Sequence, residues 1–226
     1  MRFKDVFSII GPAMVGPSSS HTAGAARIGR AARQFMGCVP SKAEIIFYGS
    51  FAATYQGHGT DRAIVGGLLN YTTDDVRLPS SIAIAEEQGM DITFTQGTGL
   101  YPHPNTVRLR LTGEQAEQNV DLMGISIGGG NIEIVEINGF SMKLSAMYPS
   151  IIISHMDWLG VLASVTDVIR KCEVNIGHMS LDRKQRSGRA LTVLELDGMV
   201  QQDLLLNLEA LPAVTSVKVI DLNTTF

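Results

Sequence analysis

Three histidines of this chain stand in loops of small or rigid residues, and histidine is the side chain best placed to exchange protons near neutral pH. His21 lies in GPSSSHTAG, Gly16 to Gly24, where four hydroxyls from Ser18, Ser19, Ser20 and Thr22 flank it just before an alanine-rich stretch. One serine suffices to cap a helix by accepting hydrogen bonds from its free N–H groups. Three serines, Thr22 and an imidazole equally suit a carboxylate or phosphate, because donors and the positive helix end point the same way, the dipole adding about 0.3–1 kcal/mol. Spacing alone leaves both readings open.

His58 repeats the design in GHGTD, Gly57 to Asp61, where flanking glycines let a ligand approach the main chain. A plain surface turn explains the same five residues. His103 stands between two prolines in YPHPN, Tyr101 to Asn105, whose rings restrict where the imidazole points. SIGGGNI, Ser126 to Ile132, places Gly128, Gly129 and Gly130 between two strand-like runs. They form either a nest of N–H groups for an anion or a flexible turn. No Gly-Lys-Ser/Thr follows, so this is not a Walker loop, nor does it match a dinucleotide fingerprint.

The elements that must position these loops follow from periodicity. Residues 22–37 carry Ala25, Ile28, Ala32 and Phe35 at helical spacing, with Arg27, Arg30 and Arg33 among the rest and Gly37 as a stop. AEIIFYGS (43–50) reads as a buried strand, 61–71 as a helix capped by Asp61, and 79–89 as another helix. DITFTQG and NTVRLRLTG alternate as strands do. Asn138-Gly139 predicts a type I′ hairpin, and AMYPS (146–150) is the candidate domain boundary. From there the order is βαββαβ, a four-stranded ferredoxin-like sheet, with Val161, Leu162, Val165, Val168 and Ile169 as the buried stripe of its first helix.

A chain of 226 residues suffices for two domains. The expected division is 1–148, mixed α/β, and 149–226, ferredoxin-like, an α+β protein in sum. A net charge of −4 argues against a general nucleic-acid binder. No apolar run reaches the roughly 20 residues of a membrane span, and Met1–Phe7 lacks the apolar core of a signal peptide, so a cytoplasmic location is expected. Cys38 and Cys172, far apart in sequence, make neither a disulfide framework nor a metal site.

With these motifs assembled, the chain resembles the β chain of the iron–sulfur-dependent bacterial L-serine dehydratase: GPSSSHTAG, GHGTD, HPN and SIGGG stand in that family's order. The first half looks like the allosteric substrate-binding domain of one class of 3-phosphoglycerate dehydrogenases. The second resembles an ACT domain through DWLGVLASVTDVI followed by VNI. The resemblance implies β-elimination of water from L-serine to aminoacrylate, then pyruvate and ammonia. It also implies a four-iron four-sulfur cluster whose open iron acts as a Lewis acid on the leaving hydroxyl while a base removes the α-proton. Such a cluster needs at least three cysteine thiolates in this family, and this sequence has two. The expectation is therefore an L-serine ammonia-lyase subunit, inactive alone, with the cluster on a partner α chain and no metal held here.

The resemblance further implies roles for particular residues. Ser18, Ser19, Ser20, Thr22, His103, Asn105, Gly128, Gly129 and Gly130 would face the α chain and bind substrate, with His21 and His58 handling protons. In the ACT half, Leu159, Gly160, Val161, Asn175 and Ile176 match the places where this module holds an amino acid at a dimer interface, although many such domains only self-associate. His155 and His178 are expected to be packing or surface residues. The rival reading is a stand-alone amino-acid sensor without chemistry. A histidine-based metal hydrolase is weaker, because no close His-x-His or His-x-x-x-His pair begins a zinc site.

Overall fold

The computed structural model describes residues 13–115 and 118–223, so Met1–Phe7, read above for a leader, lies outside the described residues. The chain forms two compact units, the first ending at Asn138 and the second beginning at Gly139.

In the first unit, a π turn (Ser19–Ala23) leads into α1 (Gly24–Met36). Gly37, at φ 85°, ends that helix in the left-handed conformation a glycine adopts at little cost, as its position predicts. Then come β1 (Lys42–Tyr48), α2 (Gly49–Thr54), α3 (Thr60–Leu68), a 3₁₀ turn (Leu78–Ser80), α4 (Ser81–Glu87), β2 (Asp91–Gln96), β3 (Asn105–Thr112), β4 (Val120–Gly128) and β5 (Asn131–Ile137). The five strands lie in the order β2-β1-β3-β4-β5. β1 and β2 run parallel, and β1, β3, β4 and β5 pair antiparallel in sequence. The mixed sheet is what the alternation of helical and extended stretches requires, since parallel neighbours need a crossover.

Two sequence expectations are corrected here. The run 43–50 is strand only as far as Tyr48: Gly49, at φ 55°, turns the chain into α2, and a Cβ there would collide with the Pro104 carbonyl. Asp61 does not cap α3; Gly59, at φ 69°, holds the cap position, and the Asp61 carboxylate sits inside the first turn, accepting from the Arg62 N–H at 2.8 Å. Burial pushes the Asp61 carboxyl up from its ordinary value, with the Arg62 N–H and guanidinium pulling the other way.

The core holds the predicted stripe of α1: Ala25, Ile28, Ala32 and Phe35 are buried. It meets the sheet at Gly124, where a Cβ would strike the Ile28 side chain. Leu109, Leu122 and Ile134 are fully buried, each contributing about 1.5–3 kcal/mol of apolar transfer. Helices α1 and α3 touch backbone to backbone: a Cβ on Gly29 would strike the Ile64 carbonyl, and one on Gly67 the Ala26 carbonyl. That contact fixes how the loops at the two helix starts meet.

The turn into the second unit has Asn138 at φ 50° and Gly139 at φ 75°, the paired positive angles of a type I′ turn. β6 (Phe140–Leu144) follows and is tied within this unit by the Ser141 N–H to the Asp182 carboxylate, 2.8 Å, and by Lys184 over the Phe140 ring. The remainder is β7 (Ser150–Met156), α5 (Val161–Lys171), β8 (Ile176–Arg183), β9 (Arg189–Leu196), α6 (Gln202–Glu209) and β10 (Val214–Ile220). The antiparallel order β10-β7-β9-β8 is the ferredoxin-like topology the βαββαβ pattern predicts. Val161, Val165 and Ile169 of α5 are buried and Val168 packs beside them, whereas Leu162 is only half-buried.

Candidate functional site

In the first unit the site is built where the π turn, the start of α2 and the loop before α3 meet. Ser18 is extended (φ −142°, ψ 124°), and its Oγ accepts the His21 N–H at 3.2 Å, so the capping role is real. The same Oγ lies 3.3 Å from His21 Nδ1. The Gly24 N–H reaches back to the Ser19 carbonyl, closing the wide ring of a π turn, which swings His21 off the helical ladder and out toward the neighbouring loops. Ser19 and Ser20 supply the backbone of that turn.

His21 Nε2 lies 3.2 Å from Ser50 Oγ, in the first turn of α2. The ring packs edge-on against Phe51, centroids 5.2 Å apart, and against His58, 4.8 Å apart with the planes at 90°. The Thr22 hydroxyl donates to the His58 carbonyl at 3.4 Å, joining the two histidine loops a second time. Burial holds the His21 imidazole below the ordinary histidine range and the charge of His58 adds to that, while the Ser50 contact works in the opposite direction. A histidine so placed is neutral at pH 7 and able to accept a proton.

The His103 loop joins through its backbone. The Ser50 N–H donates to the Pro104 carbonyl at 2.7 Å, and the Asn105 N–H to His103 Nδ1 at 3.1 Å, which commits that nitrogen as an acceptor. The Asn105 amide donates to the Ser126 carbonyl at 3.4 Å, and Ser126 backs onto Gly24, where a Cβ would collide with its Oγ. Gly128, Gly129 and Gly130, at φ 99°, 61° and 78°, make the β4–β5 turn just past Ser126. The structure thus links Ser18, His21, Thr22 and His58 by direct contact and His103 and Asn105 through Ser50 and Ser126. It brings no side chain of Ser19 or Ser20, and no glycine of that turn, into a bond with His21.

Beside this cluster opens a hollow of about 160 Å³ lined by Gly16, Thr22, His58, Gly59, Arg62 and Pro79 among others. Arg62 is the one cationic side chain among its lining residues. Sequence reading missed Arg62, and it missed Ser50 because position 50 was read as strand. The one available signal for Ser50 was Gly49 before it, a common point of strand exit.

In the second unit a hollow of about 200 Å³ lies between Trp158, Leu159, Gly160, Val161 and Ser164 on one side and Leu211, Pro212 and Ala213 on the other. Gly160, at φ 82°, is the residue before α5. Asn175 and Ile176 do not line it; the Asn175 amide instead donates to the Asp197 carboxylate at 2.6 Å. His155 is buried, its Nε2 2.8 Å from Thr192 Oγ1 and its Nδ1 3.0 Å from the Met156 carbonyl, and His178 is exposed, as expected for residues without a ligand role.

The chain thus carries a mixed α/β unit with clustered hydroxyls and imidazoles, followed by a ferredoxin-like unit. Comparison with known proteins sharpens that description. Residues 3–88 match the family model described as serine dehydratase beta chain. The chain is 48% identical over 217 residues to the probable L-serine dehydratase beta chain of Bacillus subtilis, covering 96% of this chain and 98% of that one. It is 35% identical over 199 residues to the L-serine dehydratase beta chain of Peptoniphilus asaccharolyticus, covering 88% and 89%. A D-3-phosphoglycerate dehydrogenase of Bacillus subtilis is 27% identical over 162 residues, 71% of this chain but 30% of that protein. The chain belongs to the family of L-serine dehydratase beta chains.

Proposed function

We propose that this chain is the catalytic partner of an α chain in a two-chain L-serine ammonia-lyase that eliminates water from L-serine to give pyruvate and ammonia, and that neither chain is active alone. The four-iron four-sulfur cluster of that enzyme does not fit the donors found here. The sequence has two cysteines, one in each compact unit, and among the described residues no three His, Cys, Asp or Glu side chains cluster as a metal site would need. In this reading the cluster belongs to the α chain.

What this chain contributes is a proton carrier and a binding face. His21, hydrogen-bonded by hydroxyls at both ring nitrogens, takes the proton; burial, and after it the edge-on His58, keep its affinity for protons low. Ser18–Thr22, His103, Asn105 and the Gly128–Gly130 turn form the face that meets the α chain and orients L-serine. The observation that carries this reading is the edge-on contact of His21 with His58, which itself lines a small hollow, in a chain of this family. The second unit, through Leu159, Gly160 and Val161 and, on a neighbouring copy, Asn175 and Ile176, holds an amino-acid effector and self-associates.

The deciding experiment is to express the chain alone and with its iron–sulfur partner under anaerobic conditions and to assay pyruvate from L-serine. Turnover by the pair and none by either chain is the expected result. Failure of the two to associate, with tight amino-acid binding by this chain, would overturn it in favour of a sensor.

A further inference from the structure

His21 is held at both ring nitrogens by hydroxyls rather than by a carboxylate. Nδ1 faces Ser18 Oγ at 3.3 Å and Nε2 faces Ser50 Oγ at 3.2 Å. A carboxylate only accepts, and pins one tautomer of the ring. A hydroxyl both donates and accepts, so each can turn to keep its bond whichever nitrogen carries the proton.

The two hydroxyls are not equivalent. Ser18 Oγ also accepts the His21 backbone N–H at 3.2 Å, which ties it to the turn it caps. Ser50 is anchored through its backbone instead: its N–H donates to the Pro104 carbonyl at 2.7 Å and its carbonyl accepts the Thr54 hydroxyl at 2.7 Å. Its side chain is thereby left to serve the imidazole, on a main chain fixed to the His103 loop.

We infer that Ser50 is a positioning residue for His21, holding Nε2 in place with a hydroxyl that reorients as the ring changes tautomer, and tying that ring to the His103–Asn105 loop through Pro104. The inference rests on the proposed role of His21 as proton carrier. It adds a residue from an element that none of the sequence motifs includes, and it explains how the ring keeps both hydrogen bonds while the proton changes nitrogen.

The test uses Ser50→Ala, Ser50→Thr and His21→Ala in the assembled two-chain enzyme, with long-range ¹H–¹⁵N spectra of the imidazoles recorded on this chain. Ser50→Ala is expected to lower kcat by about tenfold, short of the roughly 10²-fold that loss of the proton carrier itself costs, with KM for L-serine little changed. Ser50→Thr, which keeps a hydroxyl, restores most of the loss. In the spectra, Ser50→Ala shifts the His21 tautomer ratio and Ser50→Thr does not. Unchanged kcat and an unchanged tautomer ratio in Ser50→Ala overturn the inference, as does a threonine variant as impaired as the alanine one. Full turnover by His21→Ala instead removes His21 as proton carrier, a separate failure, and the tautomer ratio then decides the Ser50 contact by itself.

Discussion

The His21 and His58 rings meet edge to face, centroids 4.8 Å apart and planes at 90°, although they come from different loops. Two imidazoles this close resist being protonated together. Burial of His21, and after it the nearness of His58, favour its neutral state, in which it can accept a proton.

His21→Ala in the assembled enzyme should lower turnover of L-serine by about 10²-fold or more, the usual contribution of a positioned base. Steady-state pyruvate production measures it. Unchanged turnover takes His21 off the list of catalytic residues.

The direction of the His21 shift gives a pH prediction. An NMR titration of this chain should place the His21 midpoint below 6.5, the ordinary value of a histidine. His58→Gln should move it upward, since both the neighbouring charge and some of the cover are removed. Because the folded chain binds the proton less tightly than the unfolded one, this group favours folding above the unfolded value. That contribution is lost as pH falls from there through the folded value. A midpoint at or above 6.5 in the unmodified chain would contradict the burial argument.

Gly67→Ala should destabilise the first unit by about 1–3 kcal/mol, as overpacking does, because the new Cβ would strike the Ala26 carbonyl and the Arg30 backbone N. Those obstacles are main chain, so helices α1 and α3 must part. Denaturant unfolding reads the loss, and turnover per folded enzyme should also fall because the segments that carry His21 and His58 lead directly into these helices. A variant as stable as the parent would show that the two helices can separate at no cost.

Trp158 is the only tryptophan, half exposed on the rim of the second unit's hollow. If that hollow takes an amino acid, adding L-serine should change the indole emission saturably, and Leu159→Asp should abolish the change. No response across a panel of amino acids would leave the unit as an association module.

His155→Ala should cost stability, by about 1–3 kcal/mol, since it leaves the buried Thr192 hydroxyl and the Met156 carbonyl without the ring. Thermal unfolding measures the cost. Pyruvate turnover per folded enzyme should be unaffected, which separates this histidine from His21.

Much of this was legible in the chain. The βαββαβ order of the second unit follows from strand and helix periods that alternate cleanly, and the end of α1 from Gly37. Position 50 was not legible. Apolar residues up to Tyr48 extend the strand pattern to their neighbours, and only the close approach of Pro104 explains why the chain turns into a helix at Gly49. Asp61 misled for a related reason: an acidic residue before an apolar run signals a cap, but Gly59 already occupies that place at positive φ.

The sequence by itself determined which residues could do chemistry, because hydroxyls, imidazoles and glycines in short loops carry their reactivity and backbone freedom wherever the fold places them. It also determined that two cysteines are too few for a cluster. Only the tertiary structure decided which of those residues act together. Ser18, Ser50 and His58 reach His21 because α1 and α3 pack glycine to glycine and the Pro104 carbonyl holds the start of α2, contacts between segments far apart in the chain that no local period records.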